Sequence, residues 1–449
     1  MKPLKRETPK LTTNSKVSAW VQDLVAKEKV EVSKIPLKDL KEWIIDEDSG
    51  NIIHHTGKFF IIHGIRISTN WGKVNSWDQP IINQSEIGLL GIISKKINGV
   101  LHFLLQAKIE PGNINIVQLS PTLQATKSNY KKVHGGKEPL FLDYFLDKNR
   151  KILIDQIQSE QGARFLQKRN RNMIIEVSNR ITFPNNFMWF TLEQIKEMIR
   201  IDNLVNMDTR SVIAGLNINK KDYISLSWKD DKEKSCYSFK ELLLWITEQK
   251  SKFYLEVHSK SLKKVNGWII NNHEIYHESE KYFKIIGVKS KINSREVKEW
   301  SQPMIESMSV GLIAFIVKRI NGLFHFIVQA KVEVGNLDII ELAPTVQCIT
   351  GNYRRTGKGE LPFLDYILDA NNNQTIYDSM QSEEGGRFYK EHNRNLIIQA
   401  DSDFPNELPT NYIWMTYNQL HDFMIFNNYL NIQARSLLSV IKQCGDEID

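Results

Sequence analysis

Residues 102–130 read HFLLQAKIEPGNINIVQLSPTLQATKSNY, and residues 325–353 read HFIVQAKVEVGNLDIIELAPTVQCITGNY. The copies lie 223 residues apart. About half their positions are identical, and most other changes exchange one apolar residue for another, the mark of an internal duplication. Each copy begins with a β-branched and aromatic run that suits a buried strand. A Gly-Asn pair follows, Gly112-Asn113 and Gly335-Asn336, as expected of a tight connection between strands. Gln106, Lys108 and Glu110 alternate along the run and share one face of the sheet. Gln329, Lys331 and Glu333 repeat them. Such a face can be an ordinary ion-paired sheet surface or a polar site, and its repetition favours a polar site built twice.

The rest of the chain pairs up around this stretch. SKVSAWVQDLVAKE (15–28) predicts a helix behind a Ser15 cap, and SFKELLLWITEQK (238–250) predicts its counterpart behind a Ser238–Glu241 capping box. Trp43-Ile44-Ile45 and Trp268-Ile269-Ile270 lead into short hairpin strands. Trp77-Asp78-Gln79-Pro80 matches Trp300-Ser301-Gln302-Pro303. Each of these tryptophans can plug a core or form a platform for a nucleobase. After Ser128-Asn129-Tyr130 comes the basic loop Lys131–Lys137, and after Gly351-Asn352-Tyr353 comes Arg354–Gly359. Glycine admits backbone N–H groups to an anion and the cations neutralise it, so either loop can cradle a diphosphate or form a solvated hairpin. His134 and Gly135 belong to the first loop, and His134 has no counterpart in the second. FLDYFLD and FLDYILD predict short helices. QSEQGARF (158–165), QSEEGGRF (381–388) and the Asn-Arg-Asn triplets at 170–172 and 393–395 complete each unit. Thr191 with Gln194, and Thr416 with Gln419, cap a further helix in each half. Residues 217–236 lack a partner and form the linker, which divides the chain into repeats 1–221, with the N-terminal tail and first helix, and 222–449.

With 449 residues, 41% hydrophobic and 25% charged, the chain has ample length for large cores. A net charge of +7 allows an anionic ligand, but no basic run interleaved with aromatics points to nucleic acid. Three scattered cysteines form neither a disulfide framework nor a CxxC metal site. His54, His55 and His63 lack ligand spacing and are read as surface or core histidines. The polar N-terminus carries no signal h-region, and no apolar run approaches a membrane span. A cytoplasmic setting is expected.

The shared QAKxExGN, PTxQ…NY, FLDY and QSExGxRF motifs resemble the NDP-hexose 2,3-dehydratase family from about residue 15 to 442. The resemblance implies an α+β fold of two duplicated Nudix-like domains, each a mixed sheet flanked by helices, in a homodimer. It implies a nucleotide-sugar substrate, a dTDP-linked 4-keto-6-deoxyhexose, within deoxysugar biosynthesis, and a downstream 3-ketoreductase that takes the product. Aligning Gly385 with the glycine of a hydrolytic Nudix box puts Asp378, Ser379 and Ser382 where the Arg and two glutamates belong. Asp155, Gln156 and Ser159 take those places in the first half, so only Glu160 and Glu383 remain, a poor Mg²⁺ site.

The implied chemistry is β-elimination beside a ketone, which needs a base, a proton donor and enolate stabilisation but neither metal nor redox cofactor. Tyr130, Lys132, His134 and Glu110 are the catalytic candidates of the first half. The substrate-binding candidates are Trp77, Gln124, Ser128, Asn129, Gly135, Ser159 and Arg164, joined from the second half by Trp300, Asn352, Tyr353, Arg354, Arg355, Arg387, Asn393 and Asn395. A nucleotide-sugar hydrolase and a non-catalytic binding protein are the alternatives. Because His134 titrates near neutral pH, His134→Ala or Tyr130→Phe should lower kcat by roughly 10²-fold or more. Tyr353→Phe should chiefly reduce ligand occupancy of the second pocket; steady-state rates of the three folded variants check this.

Overall fold

The apolar runs GLLGIISKKI and VLHFLLQAKI form the strands Gly88–Ile97 and Val100–Ile109. They are joined at Asn98-Gly99, both at positive φ (51° and 83°), as a two-residue hairpin requires. Gly311–Ile320, Leu323–Val332 and the Asn321-Gly322 turn repeat the arrangement. This computed structural model describes residues 14–126, 138–216, 234–295, 297–350, 361–441, 443–444 and 447–448.

Around each hairpin grows a seven-stranded mixed sheet. In the first repeat its order is Lys151–Ser159, Arg169–Glu176, Gly88–Ile97, Val100–Ile109 and Phe187–Thr191, with Val117–Ser120 and Leu123–Ala125 paired alongside. Only Arg169–Glu176 runs parallel to its neighbour Gly88–Ile97; the other pairings in this sheet are antiparallel. The expected α+β class, with a mixed sheet and flanking helices in each repeated half, is what forms. The capped helices Leu192–Ile199 and Tyr417–Ile425 begin at the foreseen capping boxes. They lie in one hydrophobic core that joins Ile195, Met198 and Val212 to Leu420, Phe423 and Leu437.

Each repeat also has a smaller sheet, and here the repeats exchange strands. Val30–Ile35 pairs with Phe283–Ile292 of the second repeat, and Leu255–Lys260 pairs with Ile61–Thr69 of the first. Neither small sheet is therefore complete without the other half.

Three local expectations change. The first helix, Asn14–Lys27, starts before Ser15. The segments aligned with a Nudix-box helix are strands, Lys151–Ser159 and Thr375–Ser382. Their alternating apolar residues pair with a neighbouring strand, and Asp155 and Asp378 hold Arg171 and Arg394 across that pairing. Asp155, Gln156 and Ser159 therefore share a strand, not the helix on which such a box arrays its glutamates.

The Gly-Asn pairs, third, form the expected turns, with Asn113 N–H donating to the Glu110 carbonyl and Asn336 N–H to that of Glu333, each at 3.1 Å, but in longer connections that also touch the other repeat. Gly112 N–H donates to the Gly385 carbonyl at 2.8 Å, and Gly335 N–H donates to the Gly162 carbonyl at 2.7 Å. A Cβ on Gly112 would land on the backbone carbonyl of Phe388, and one on Gly335 on that of Phe165. Gly112→Ala should therefore destabilise the protein by about 1–3 kcal/mol, the usual scale of overpacking, as measured by denaturant unfolding.

Candidate functional site

A cavity of about 210 Å³ opens on the first repeat's mixed sheet. Lys108 on Val100–Ile109 and Glu110, just past the strand's end, both reach it, as the alternation predicts. Gln124 comes from the adjoining short strand, and Asp208 from the first turn of the helix Met207–Ile213, which Asn206 caps. Glu160, Lys168 and Asn170 flank the turn of the QSEQGARF motif. Glu384 and Arg387 close the cavity, and both belong to the QSEEGGRF motif of the second repeat.

These side chains form two connected groups. Lys108 lies 2.7 Å from Glu110 Oε1 and also donates to Gln124 Oε1, while Gln124 Nε2 donates to Asp208 Oδ2. Burial opposes ionisation of Glu110, but Arg295 and Lys108 hold its carboxyl down at about 2. In the other group, Asn170 donates to Glu160 Oε1 at 2.5 Å. Burial pushes Glu160 up to about 7, against the pull of Arg435 and Lys168. Asp208, buried near Glu160, also rises to about 7, as does Glu384, buried near Asp208. Burial lowers Lys168 to about 8. Three carboxyls that cannot all ionise together, beside a cation, can hold a base and a proton donor in one cavity at neutral pH.

The equivalent place in the second repeat keeps the scaffold and changes the charges. Lys331, Glu333, Gln347, Glu383 and Asn393 stand where Lys108, Glu110, Gln124, Glu160 and Asn170 stand in the first. Lys168, however, becomes Glu391, Asp208 becomes Gln433, and the crossing Glu384 becomes Gln161. Gln161 Nε2 donates to Glu383, and Glu391, Glu333 and Glu383 surround Arg164 electrostatically.

Of the expected site residues, Glu110, Gln124 and Arg387 line the cavity. Arg387 stacks 4.3 Å over Phe60 and donates to the Gly386 carbonyl. Arg164 crosses the other way, 4.2 Å over Phe283, to the second repeat's cluster. Asn393 donates to Glu383 there, and the buried Asn395 donates to the Asn393 carbonyl at 3.0 Å. Trp77 packs beside Ile67 and Val334, and Trp300 beside Ile109 and Ile292; each N–H is taken by the glutamine two residues on. Ser159 is committed to the interface between repeats, its hydroxyl donating to Glu341 at 2.6 Å. Ser128, Asn129, Tyr130, Lys132, His134 and Gly135, with Asn352, Tyr353, Arg354 and Arg355, lie outside the described residues. The segment carrying the first group begins beyond Thr126, on the cavity wall.

Lys168, Asp208 and Glu384 escaped the sequence reading because, His134 apart, it ranked positions that the repeats share. Their signal is the opposite one: a charged residue at a repeat position where the partner repeat has a different charge.

A family model described as NDP-hexose 2,3-dehydratase matches residues 14–216 and 239–441. A protein of Saccharopolyspora spinosa named dTDP-4-dehydro-6-deoxy-alpha-D-glucopyranose 2,3-dehydratase is 42% identical, over 94% of this chain and 89% of its own length. Proteins of the same name from Amycolatopsis orientalis and Streptomyces violaceoruber are each 40% identical, over 95% and 97% of this chain and 89% and 99% of their own lengths.

Glu341 gives the second cluster a stability test. Its counterpart is Gln118, a neutral amide that donates to Ser382 at 2.6 Å, whereas Glu341 is a carboxyl that accepts from Ser159 at 2.6 Å; in both, Oε1 has no hydrogen-bond partner among the described residues. Burial pushes the Glu341 carboxyl from 4.5 up to about 8. The folded state then binds this proton more tightly than the unfolded chain, so its contribution is lost as pH rises through about 8. Glu341→Gln should raise Tm at pH 8 by several degrees and change it little at pH 5, as thermal unfolding at the two pH values checks.

Proposed function

The chain belongs to the NDP-hexose 2,3-dehydratase family, and on that premise we propose that it eliminates the C2 hydroxyl of a dTDP-linked 4-keto-6-deoxyhexose. The product is the 3,4-diketo-2,6-dideoxy sugar. Shared scaffold with unshared charge carries this reading: Asp208, Lys168 and Glu384 are replaced by Gln433, Glu391 and Gln161 around the second cluster. Turnover is assigned to the first repeat's cavity, which the second repeat completes.

The ketone at C4 acidifies the C3 hydrogen. Asp208, ionised, takes that proton, and the C–H electron pair moves into an enolate whose oxygen Lys168 stabilises as a cation. The enolate collapses to expel the C2 oxygen, which takes a proton from Glu384 and leaves as water. The resulting enol tautomerises to the diketone, with no net oxidation or reduction. Arg387 and the basic loop that carries Lys132, His134 and Gly135 are assigned to the diphosphate, and Tyr130 to the sugar. Glu110 is reassigned from proton transfer to holding Lys108, since a carboxylate gripped by two cations stays ionised.

Several finer features accompany this reading. A 3,4-diketone is reactive, which favours rapid consumption by a 3-ketoreductase. Each repeat is taken as Nudix-like in descent, for the mixed sheet flanked by helices, although the box segment is a strand. The enzyme is taken as a cytoplasmic homodimer, in keeping with its nucleotide-linked substrate and with its family.

Incubation with dTDP-4-keto-6-deoxyglucose and a 3-ketoreductase should yield a dTDP-sugar lighter by one water than the reduced substrate. Mg²⁺-dependent release of a sugar phosphate would instead establish a hydrolase, and binding without turnover a carrier. Asp208→Asn should lower kcat by roughly 10²-fold or more in a variant that melts like wild type. The kcat profile should be bell-shaped. Its acid side reflects protonation of Asp208 near 7, and its alkaline side reflects loss of the Glu384 proton, also near 7, and of the Lys168 charge near 8.

A further inference from the structure

Arg295 lies in the connection between Phe283–Ile292 and Glu299–Ser307, on the small sheet of the second repeat. Its Nη2 nevertheless donates to Glu110 Oε2 in the first repeat's cavity. Glu110 Oε1 is held by Lys108 at 2.7 Å, so cations engage both carboxylate oxygens. Lys108 also takes Gln124 Oε1, and the amide is left to donate through Nε2 to Asp208.

The second repeat shows this relay without its arginine. The residue that corresponds to Arg295 is Gly72. There the glutamine amide faces the other way: Gln347 Nε2 donates to Glu333 Oε1 at 2.9 Å, and its Oε1 accepts from Asn431 at 2.7 Å. Lys331 turns to the Gln347 backbone carbonyl at 3.2 Å. Among the described residues no arginine is hydrogen-bonded to Glu333, and the glutamine amide binds that carboxylate; where Arg295 donates to Glu110, the amide binds Asp208.

We propose that Arg295 is a positioning residue for the elimination, orienting the Gln124 amide through Glu110 and Lys108 so that it donates to Asp208. The second repeat thereby acts on the first repeat's chemistry from a residue outside the cavity lining. The inference rests on Asp208 being the base. The groups facing Asp208 electrostatically are Glu160, Glu110, Glu384, Lys108, Lys168 and Arg210. An N–H donated to the carboxylate favours its ionised form, so losing that bond moves the acid limb of the profile to higher pH.

The test measures kcat, KM and their pH profiles for Arg295→Gly, Arg295→Lys and Gln124→Met on the 4-keto sugar nucleotide, with Asp208→Asn alongside. Arg295→Gly copies Gly72 and should lower kcat by about 10-fold, less than the roughly 10²–10⁴-fold cost of losing the acid or base itself. KM should change little, and the acid limb should shift to higher pH. Arg295→Lys should recover much of the loss. In the double variant Arg295→Gly/Gln124→Met, the two losses should not add, because both act through one amide. A wild-type kcat and acid limb in Arg295→Gly, or fully additive losses, would overturn the proposal while leaving Asp208 as base. An active Asp208→Asn would instead remove the base assignment itself.

Discussion

Two buried arginines hold the repeats together, and the rest of the architecture depends on them. Arg210 donates to the Ser436 hydroxyl at 2.7 Å and to the Ser382 carbonyl, and Arg435 donates to the Ser211 hydroxyl at 2.9 Å and to the Ser159 carbonyl. Both are essentially inaccessible to water. A buried guanidinium is tolerated only with its donors satisfied, and stripping a buried charge of its partners typically costs about 3–5 kcal/mol. Each arginine finds those partners in the other repeat. Neither half can withdraw without leaving a charge uncompensated.

The clamp decides where the site-forming motifs go. Ser159 and Ser382 open the two QSExGxRF motifs, so anchoring their carbonyls carries each motif across to the opposite sheet. Gly112 and Gly335 receive the crossing backbone, Phe165 and Phe388 meet at 5.9 Å, and Arg164 and Arg387 exchange sides. The exchanged strands Val30–Ile35 and Leu255–Lys260 follow the same reciprocity. The duplication thus builds one body with two crossed clusters, each made by both halves.

Symmetric scaffolding leaves the chemistry to the positions that break the symmetry. Many residues that both repeats keep cap a helix, bridge the repeats or line a sheet. Where they differ in charge, the balance among buried carboxyls changes: the first cavity holds Lys168 beside three acids, and the second cluster replaces that lysine with Glu391. Buried ionisable groups interact strongly because little water screens them. One such exchange is enough to turn a proton-sharing site into a differently charged one.

The amino-acid sequence alone determined the duplication, the strands around QAKxExGN, the capping boxes at Thr191, Ser238 and Thr416, and the family. The strands and caps follow from local periodicity and capping chemistry, which neighbours in the chain suffice to specify, and the duplication and the family from the motifs that the two halves share. It also pointed to Glu110, Gln124 and Arg387 as polar residues of a cavity. Only the tertiary structure decided that Arg387 serves the first repeat while Arg164 serves the second, that Glu110 is a counter-ion to Arg295, and that Asp208 and Lys168 join the site. The arginine pairings rest on a crossing between repeats, and Asp208 and Lys168 reach the cavity only through the folding of the first repeat. No periodicity records such a crossing, because it is set by the packing of two helices and the need of two buried cations for partners.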